Sequence, residues 1–113
     1  MEIINGIGID IVSKARIKLL KNKTRFLNKD ELEFLSKLKD EDSKMDFISG
    51  RWASKEAIIK ASNKKIKFYE ISILNEDNGK PYVLFKNLKN DNIKISISHE
   101  KDYTVAFSII INL

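Results

Sequence analysis

Arg51 to Ala61 runs R-W-A-S-K-E-A-I-I-K-A, four charges set among residues suited to burial. On a helix at about 100° per residue, Glu56 and Lys60 fall within about 40° of each other, flanked by Trp52 and Ala53. Arg51 and Lys55 form a second narrow stripe, bordered by Ile48 and Ile58. The helix is therefore apolar nearly all round except for two charged slots, the pattern of a helix covered on several sides. A Glu and a Lys in such a helix cost several kcal/mol per ion unless they are paired or serve a ligand.

Working outward, Ser43 is the expected start of this long helix, which should end near Ser62 and Asn63. Before it, Asn28 followed by Glu31 predicts a capped helix carrying Leu32, Phe34, Leu35 and Leu38. Ser13 predicts a cap for a short helix through about Lys21. Glu2 to Val12 is the expected first strand, with Gly6 and Gly8 marking a bulge or a close approach of the backbone. After the long helix the period changes. Phe68–Leu74 and Tyr82–Phe85 flank the turn-rich N-E-D-N-G-K-P and predict a hairpin. Ile93, Ile95 and Ile97 alternate with Lys94, Ser96 and Ser98, and Tyr103–Ile111 alternates again. The class is α+β, an antiparallel sheet packed against one long helix, in a single domain spanning residues 1–113.

Composition narrows the chemistry. There is no cysteine and one histidine, His99. Disulfides, thiolate sites and zinc sites of several imidazoles are excluded, so a bound metal must rest mainly on carboxylates, which favours a hard cation such as Mg²⁺. The net charge of +5 implies an anionic partner: nucleic acid, a phosphorylated small molecule or an acidic protein. No segment reaches the roughly 18 apolar residues of a membrane span, and M-E-I-I-N-G is not the start of a signal peptide, so no membrane partner and a cytoplasmic location are expected.

Three constellations carry chemistry, each with a plainer reading beside it. Asp10 ends the apolar strand of G-I-G-I-D; it either closes the strand and caps the following helix, or meets a positive group. Glu56 and Lys60 are either an ordinary i, i+4 surface pair or a functional slot. Trp52, Ala53 and Ile59 on the same surface favour the slot. His99 closes I-S-I-S-H, as a structural residue or as a group beside hydroxyls suited to phosphate.

Taken in order, G-I-G-I-D-I-V, F-I-S-G-R-W-A-S-K-E-A-I-I-K-A, N-G-K-P, I-S-I-S-H and D-Y-T-V-A-F resemble the holo-acyl-carrier-protein synthases, small bacterial 4'-phosphopantetheinyl transferases. The resemblance covers essentially the whole chain. Trp52 stands where phenylalanine is usual, and Ser54 and Ile59 replace smaller or aromatic residues.

The resemblance implies the 4'-phosphopantetheinyl transferase fold and transfer of 4'-phosphopantetheine from coenzyme A to a serine of acyl carrier protein, in fatty acid biosynthesis. It implies Asp10 and Glu56 as Mg²⁺ ligands, Lys60 on the pyrophosphate, and Arg51 and His99 on the coenzyme's phosphates. It places Arg16, with Lys14, Lys18 and Lys21, on a docking surface for the carrier protein. It also implies a homotrimer in which His99 reaches a coenzyme held by a neighbour's Asp10 and Glu56. The final strand fits association, since Tyr103, Val105, Phe107, Ile109 and Ile111 share one side. The rival class, a basic nucleic-acid-binding module, would interleave aromatic platforms with arginines, and only Arg16, Arg25 and Arg51 are present. No nucleic acid partner is therefore expected.

Overall fold

The quoted stretch forms the C-terminal half of the longest helix in a computed structural model that describes residues 3–111. In chain order the elements are β1 (Ile4–Ser13), α1 (Lys14–Leu19), α2 (Lys29–Lys37), α3 (Glu41–Ala61), a 3-10 turn (Phe68–Glu70), β2 (Ile71–Asn75), β3 (Pro81–Phe85), β4 (Leu88–Lys89), β5 (Ile93–His99) and β6 (Tyr103–Ile111). Only Glu41, Asp42 and Lys60 of α3 are exposed, so the helix is enclosed as its all-round apolarity predicts. It begins earlier than expected. Asp40, not Ser43, is the cap: its carboxylate accepts from the Ser43 amide at 2.7 Å, which leaves Ser43 in the first turn.

The strands form two three-stranded antiparallel sheets, ordered β1-β6-β5 and β2-β3-β4, where the alternation alone suggested one. The first lies along one side of α3. Ile58 packs with Ile71, Ile73 and Val83 of the second sheet and Ile93 of β5, and this cluster joins the two sheets. A second cluster, Ile17, Leu27, Phe47 and Ile48, seats α1 and the following segment on the front half of α3.

One contact sets the position of β1. A Cβ added at Gly6 would stand 1.7 Å from the Ala61 carbonyl oxygen, and one at Gly8 1.9 Å from that of Ala57. Strand and helix backbones thus touch directly, which only glycine allows. Ala53, Ala57 and Ala106 fill the neighbouring space without side-chain bulk. The strand's pairing with β6 also shifts register between Ile4 and Gly6, so the glycine region both bulges and approaches. The expected start at Glu2 lies outside the described residues.

Several boundaries differ from expectation. The helix α1 stops at Leu19, two residues before Lys21. Phe68–Glu70 is a 3-10 turn where strand was expected, and β4 follows a two-residue turn at Lys86 and Asn87, both at positive φ (51° and 67°). No helix among the described residues is long and apolar enough to cross a membrane.

Candidate active site

The close approach of β1 to α3 brings Asp10 beside the face that carries Glu56 and Lys60. Asp10 follows Gly8 by two residues and pairs with Ala106 across the sheet. The Lys60 ammonium donates to Asp10 Oδ1 and to the Ile9 carbonyl, each at 3.0 Å. The i, i+4 spacing therefore does not become a Glu56–Lys60 ion pair; Lys60 turns to the strand instead. Nor is this lysine buried, since its side chain is 52% exposed. The fully buried cation of α3 is Lys55, from the other charged stripe.

Asp10 Oδ2 is buried and makes no hydrogen bond. Burial pushes the Glu56 carboxyl above its ordinary pKa, the negative charge of Asp10 pushes it further, and Lys60 partly opposes. Asp10 and Glu56 open onto one cavity of about 330 Å³, with Ser13, Arg16, Leu20 and Trp52 on its walls. An orphaned carboxylate oxygen and a second carboxyl that resists ionising beside it are two symptoms of one shortage of positive charge. A hard divalent cation suits this donor set. No group of three or more acidic, histidine or cysteine side chains that could hold a metal gathers among the described residues, so a cation here would rest on these two carboxylates and on oxygens from outside the chain.

Arg51 does not join this cavity. Its guanidinium lies in the interior, with Nε donating to the Ile73 carbonyl at 3.1 Å, Nη2 bonded to Asn75, and Cζ stacked 4.1 Å from the Phe47 ring centre. Burial pulls its pKa down to about 10, which leaves it cationic at neutral pH. The residue braces the β2–β3 hairpin and is 5% exposed.

His99 occupies a different cavity, of about 870 Å³, which it shares with Lys14, Asp46 and Glu100. Its Nδ1 is 3.0 Å from the Thr104 hydroxyl, which in turn is 2.8 Å from that of Ser49. Burial lowers its pKa, with Asp46 opposing and Lys14 and Arg51 adding. Lys14 is also placed differently from expectation. It is paired with Asp46 and bonded to the Glu100 carbonyl, with its side chain 14% exposed. Arg16, Lys18 and Lys21 are exposed.

The residue missed in the sequence is Glu31. Its capping role is real, for Oε1 accepts from the Asn28 amide at 2.8 Å. The same carboxylate also receives Lys55 Nζ at 2.7 Å and, through Oε2, the Ile73 amide at 2.9 Å. No local spacing signals a partner 24 positions away.

Paired acids, a half-exposed lysine and an open cavity on an α+β frame define a group-transfer enzyme that handles an anionic, phosphate-bearing substrate. The family model of the 4'-phosphopantetheinyl transferase superfamily matches residues 6–108, and the chain belongs to that family. It is similar to the holo-[acyl-carrier-protein] synthase of Geobacillus sp. (strain WCH70), 42% identical over 114 residues covering 93% of this chain and 94% of the relative. A crystal structure of a holo-(acyl-carrier-protein) synthase from Bacillus anthracis in complex with CoA (3',5'-ADP) superposes with a TM-score of 0.85 at 32% identity, covering 97% of this chain and 98% of the other. The Helicobacter pylori synthase in complex with coenzyme A gives 0.72 at 31% identity, covering 94% and 99%.

Proposed function

We propose that this chain is a holo-acyl-carrier-protein synthase: it transfers 4'-phosphopantetheine from coenzyme A to a serine of apo acyl carrier protein and releases adenosine 3',5'-bisphosphate. The observation that carries the site assignment is the orphaned Asp10 Oδ2 beside Glu56 on a shared cavity. Asp10 and Glu56 would hold Mg²⁺. When bound, the ion neutralises the pyrophosphate and aligns it for displacement.

In the transfer, the serine hydroxyl gives up its proton to water, its oxygen forms a bond to the phosphorus that bears pantetheine, and the bond from that phosphorus to the adenosine bisphosphate breaks. Lys60 supports the charge that collects on the leaving phosphate. Its ammonium already stands 3.0 Å from Asp10, and its half-exposed side chain is free to turn toward the substrate. Arg16, on the wall of the same cavity, and the exposed Lys18 and Lys21 meet the carrier protein.

The working unit is a homotrimer in the cytoplasm, serving fatty acid biosynthesis. Association is supported by the outer face of the first sheet, where Ile7, Ile9 and Ile11 are 58%, 58% and 62% exposed and pair with Ile109, Phe107 and Val105. An apolar ladder of that kind is cover waiting for a partner. His99, which opens onto a different cavity from Asp10, then serves a coenzyme held by a neighbouring copy.

The decisive assay is incubation with coenzyme A, Mg²⁺ and an apo carrier protein, read by the mass increase of a phosphopantetheinyl arm. Asp10→Asn and Glu56→Gln each abolish the transfer with the fold intact. Near-normal transfer by either variant at low Mg²⁺ removes that residue from the site, and a monomeric mass by light scattering at micromolar concentration refutes the trimer.

A further inference from the structure

The most deeply buried ions among the described residues take no part in the chemistry above. Glu31 and Lys55 are both 0% exposed and lie 2.7 Å apart. An apolar pair of equal volume would be at least as stabilising, so the burial of two charges calls for a task besides stability. Their remaining bonds show where that task lies. Lys55 Nζ donates to the Phe26 carbonyl at 2.8 Å, and Glu31 accepts from the Asn28 amide at 2.8 Å and, through Oε2, from the Ile73 amide of β2 at 2.9 Å. The pair thus ties the segment that joins α1 to α2 both to α3 and to the second sheet. That segment has local turns of its own, Arg25 N to Asn22 O and Leu27 N to Thr24 O, but no regular element.

The segment is a wall of the site's approach. The Phe26 ring stands edge-on to Trp52, with centroids 4.9 Å apart, and to Phe68 at 5.9 Å. These three rings, with Leu20 and Tyr69, line a cavity of about 570 Å³, which meets the Asp10–Glu56 cavity at Leu20 and Trp52. Lys21 and Arg25 make its rim basic, matched to an acidic protein. A protein acceptor whose serine reaches Asp10 lies against this wall as well.

We propose that the buried Glu31–Lys55 pair is a positioning device for the carrier protein: it clamps the Phe26 carbonyl and so holds the Arg25–Phe26–Trp52 wall in the shape against which the carrier docks. The proposal rests on the carrier reading given above. A pair that served stability alone would disturb both substrates alike when lost, whereas this clamp acts on the carrier alone.

The test is the charge-neutral double variant Glu31→Gln/Lys55→Met, assayed with coenzyme A, Mg²⁺ and apo carrier protein. The variant melts cooperatively, its KM for coenzyme A stays within about twofold, and its KM for the carrier rises about tenfold, the effect of losing one well-formed interface contact. Emission from Trp52, the single tryptophan, shifts as Phe26 moves. Lys55→Arg, which keeps a charged donor for both partners, retains the parent's carrier KM. A folded double variant with unchanged carrier KM overturns the proposal, and so does one in which both KM values rise together. If the double variant does not melt cooperatively, hydrogen exchange on the parent chain decides: protection of the Arg25 and Leu27 amides comparable to that of α3 supports the clamp, and exchange at the rate of an open loop overturns it. A parent chain that transfers no arm overturns the carrier reading and this proposal with it; a parent that transfers normally beside an unaffected double variant overturns this proposal alone.

Discussion

Gly8→Ala is the substitution that most directly challenges the placement of β1 on α3. The new methyl would stand 1.9 Å from the Ala57 carbonyl oxygen, 2.8 Å from the Ala61 nitrogen and 2.9 Å from the Ala57 carbonyl carbon. All three are backbone atoms of a packed helix, so no side chain can swing aside. A carbon needs about 3.3 Å from a carbonyl oxygen, so strand and helix must separate by about 1.4 Å at this point. Forced overpacking of this kind costs about 1–3 kcal/mol. At about 4 °C per kcal/mol for a domain of this size, the upper end lowers Tm by about 12 °C. Asp10 is two residues further along the strand and is carried away from Glu56, and a displacement of about 1 Å at a reacting centre costs about a hundredfold in rate. Calorimetry and a transfer assay run well below Tm measure the two effects separately. A Gly8→Ala protein that melts within about 2 °C of its parent refutes the backbone contact, and full turnover in a destabilised protein refutes its link to the site.

Ser54 is fully buried and its hydroxyl has no partner, so Ser54→Ala should stabilise the chain by about 1 kcal/mol, seen as a raised denaturant midpoint at constant m-value. Gly50→Ala gains helix propensity, but its methyl meets the His99 ring at 3.1 Å, so stability should hold or rise while the His99 imidazole signals move in an NMR titration. Arg16→Glu should weaken carrier binding and flatten its dependence on salt while coenzyme A affinity stays unchanged; unaltered carrier kinetics would sink the docking assignment. The raised Glu56 pKa sets a pH dependence: cation binding requires the ionised carboxylate, so it is complete above that pKa and lost as pH falls through it. Mg²⁺ affinity, followed by calorimetry, should therefore begin to fall at a higher pH than ordinary carboxylates would allow, and a profile unchanged in Glu56→Gln would remove Glu56 from the ligand set.

What could be read in the sequence was what depends on neighbours along the chain. The enclosed helix α3 is written in its all-round apolarity, the alternation of Ile93–Ser98 and Tyr103–Ile111 gives both strands their faces, and N-G-K-P marks a hairpin whose Gly79 sits at φ +89°. Asp10, Glu56 and Lys60 stood out because charge in apolar surroundings needs a reason. The misses were contests between equals or contacts across distance. Asp40 and Ser43 are both good caps, and the geometry of the helix start chose the earlier one. The strand β4 hides because Lys86 is an unusual occupant of a turn that requires positive φ. The division into two sheets, the interior seat of Arg51 and the Glu31–Lys55 bond all depend on partners more than 20 positions away, about which periodicity is silent.

The pairing of β1 with β6, running from Ile4 opposite Ile111 to Ser13 opposite Tyr103, also sets the order of events during synthesis. The strand that carries Asp10 is made before its hydrogen-bonding partner, which follows almost a hundred residues later. At about 5–20 residues per second, that is about 5–20 s during which the ladder of Ile7, Ile9 and Ile11 has nothing to pair with. Local elements such as α3 and the β2–β3 hairpin can form in the interval, but the first sheet must wait, the slow step expected of a topology dominated by distant contacts. Asp10, made well before its partner Ala106, is put in its place only once β6 has arrived.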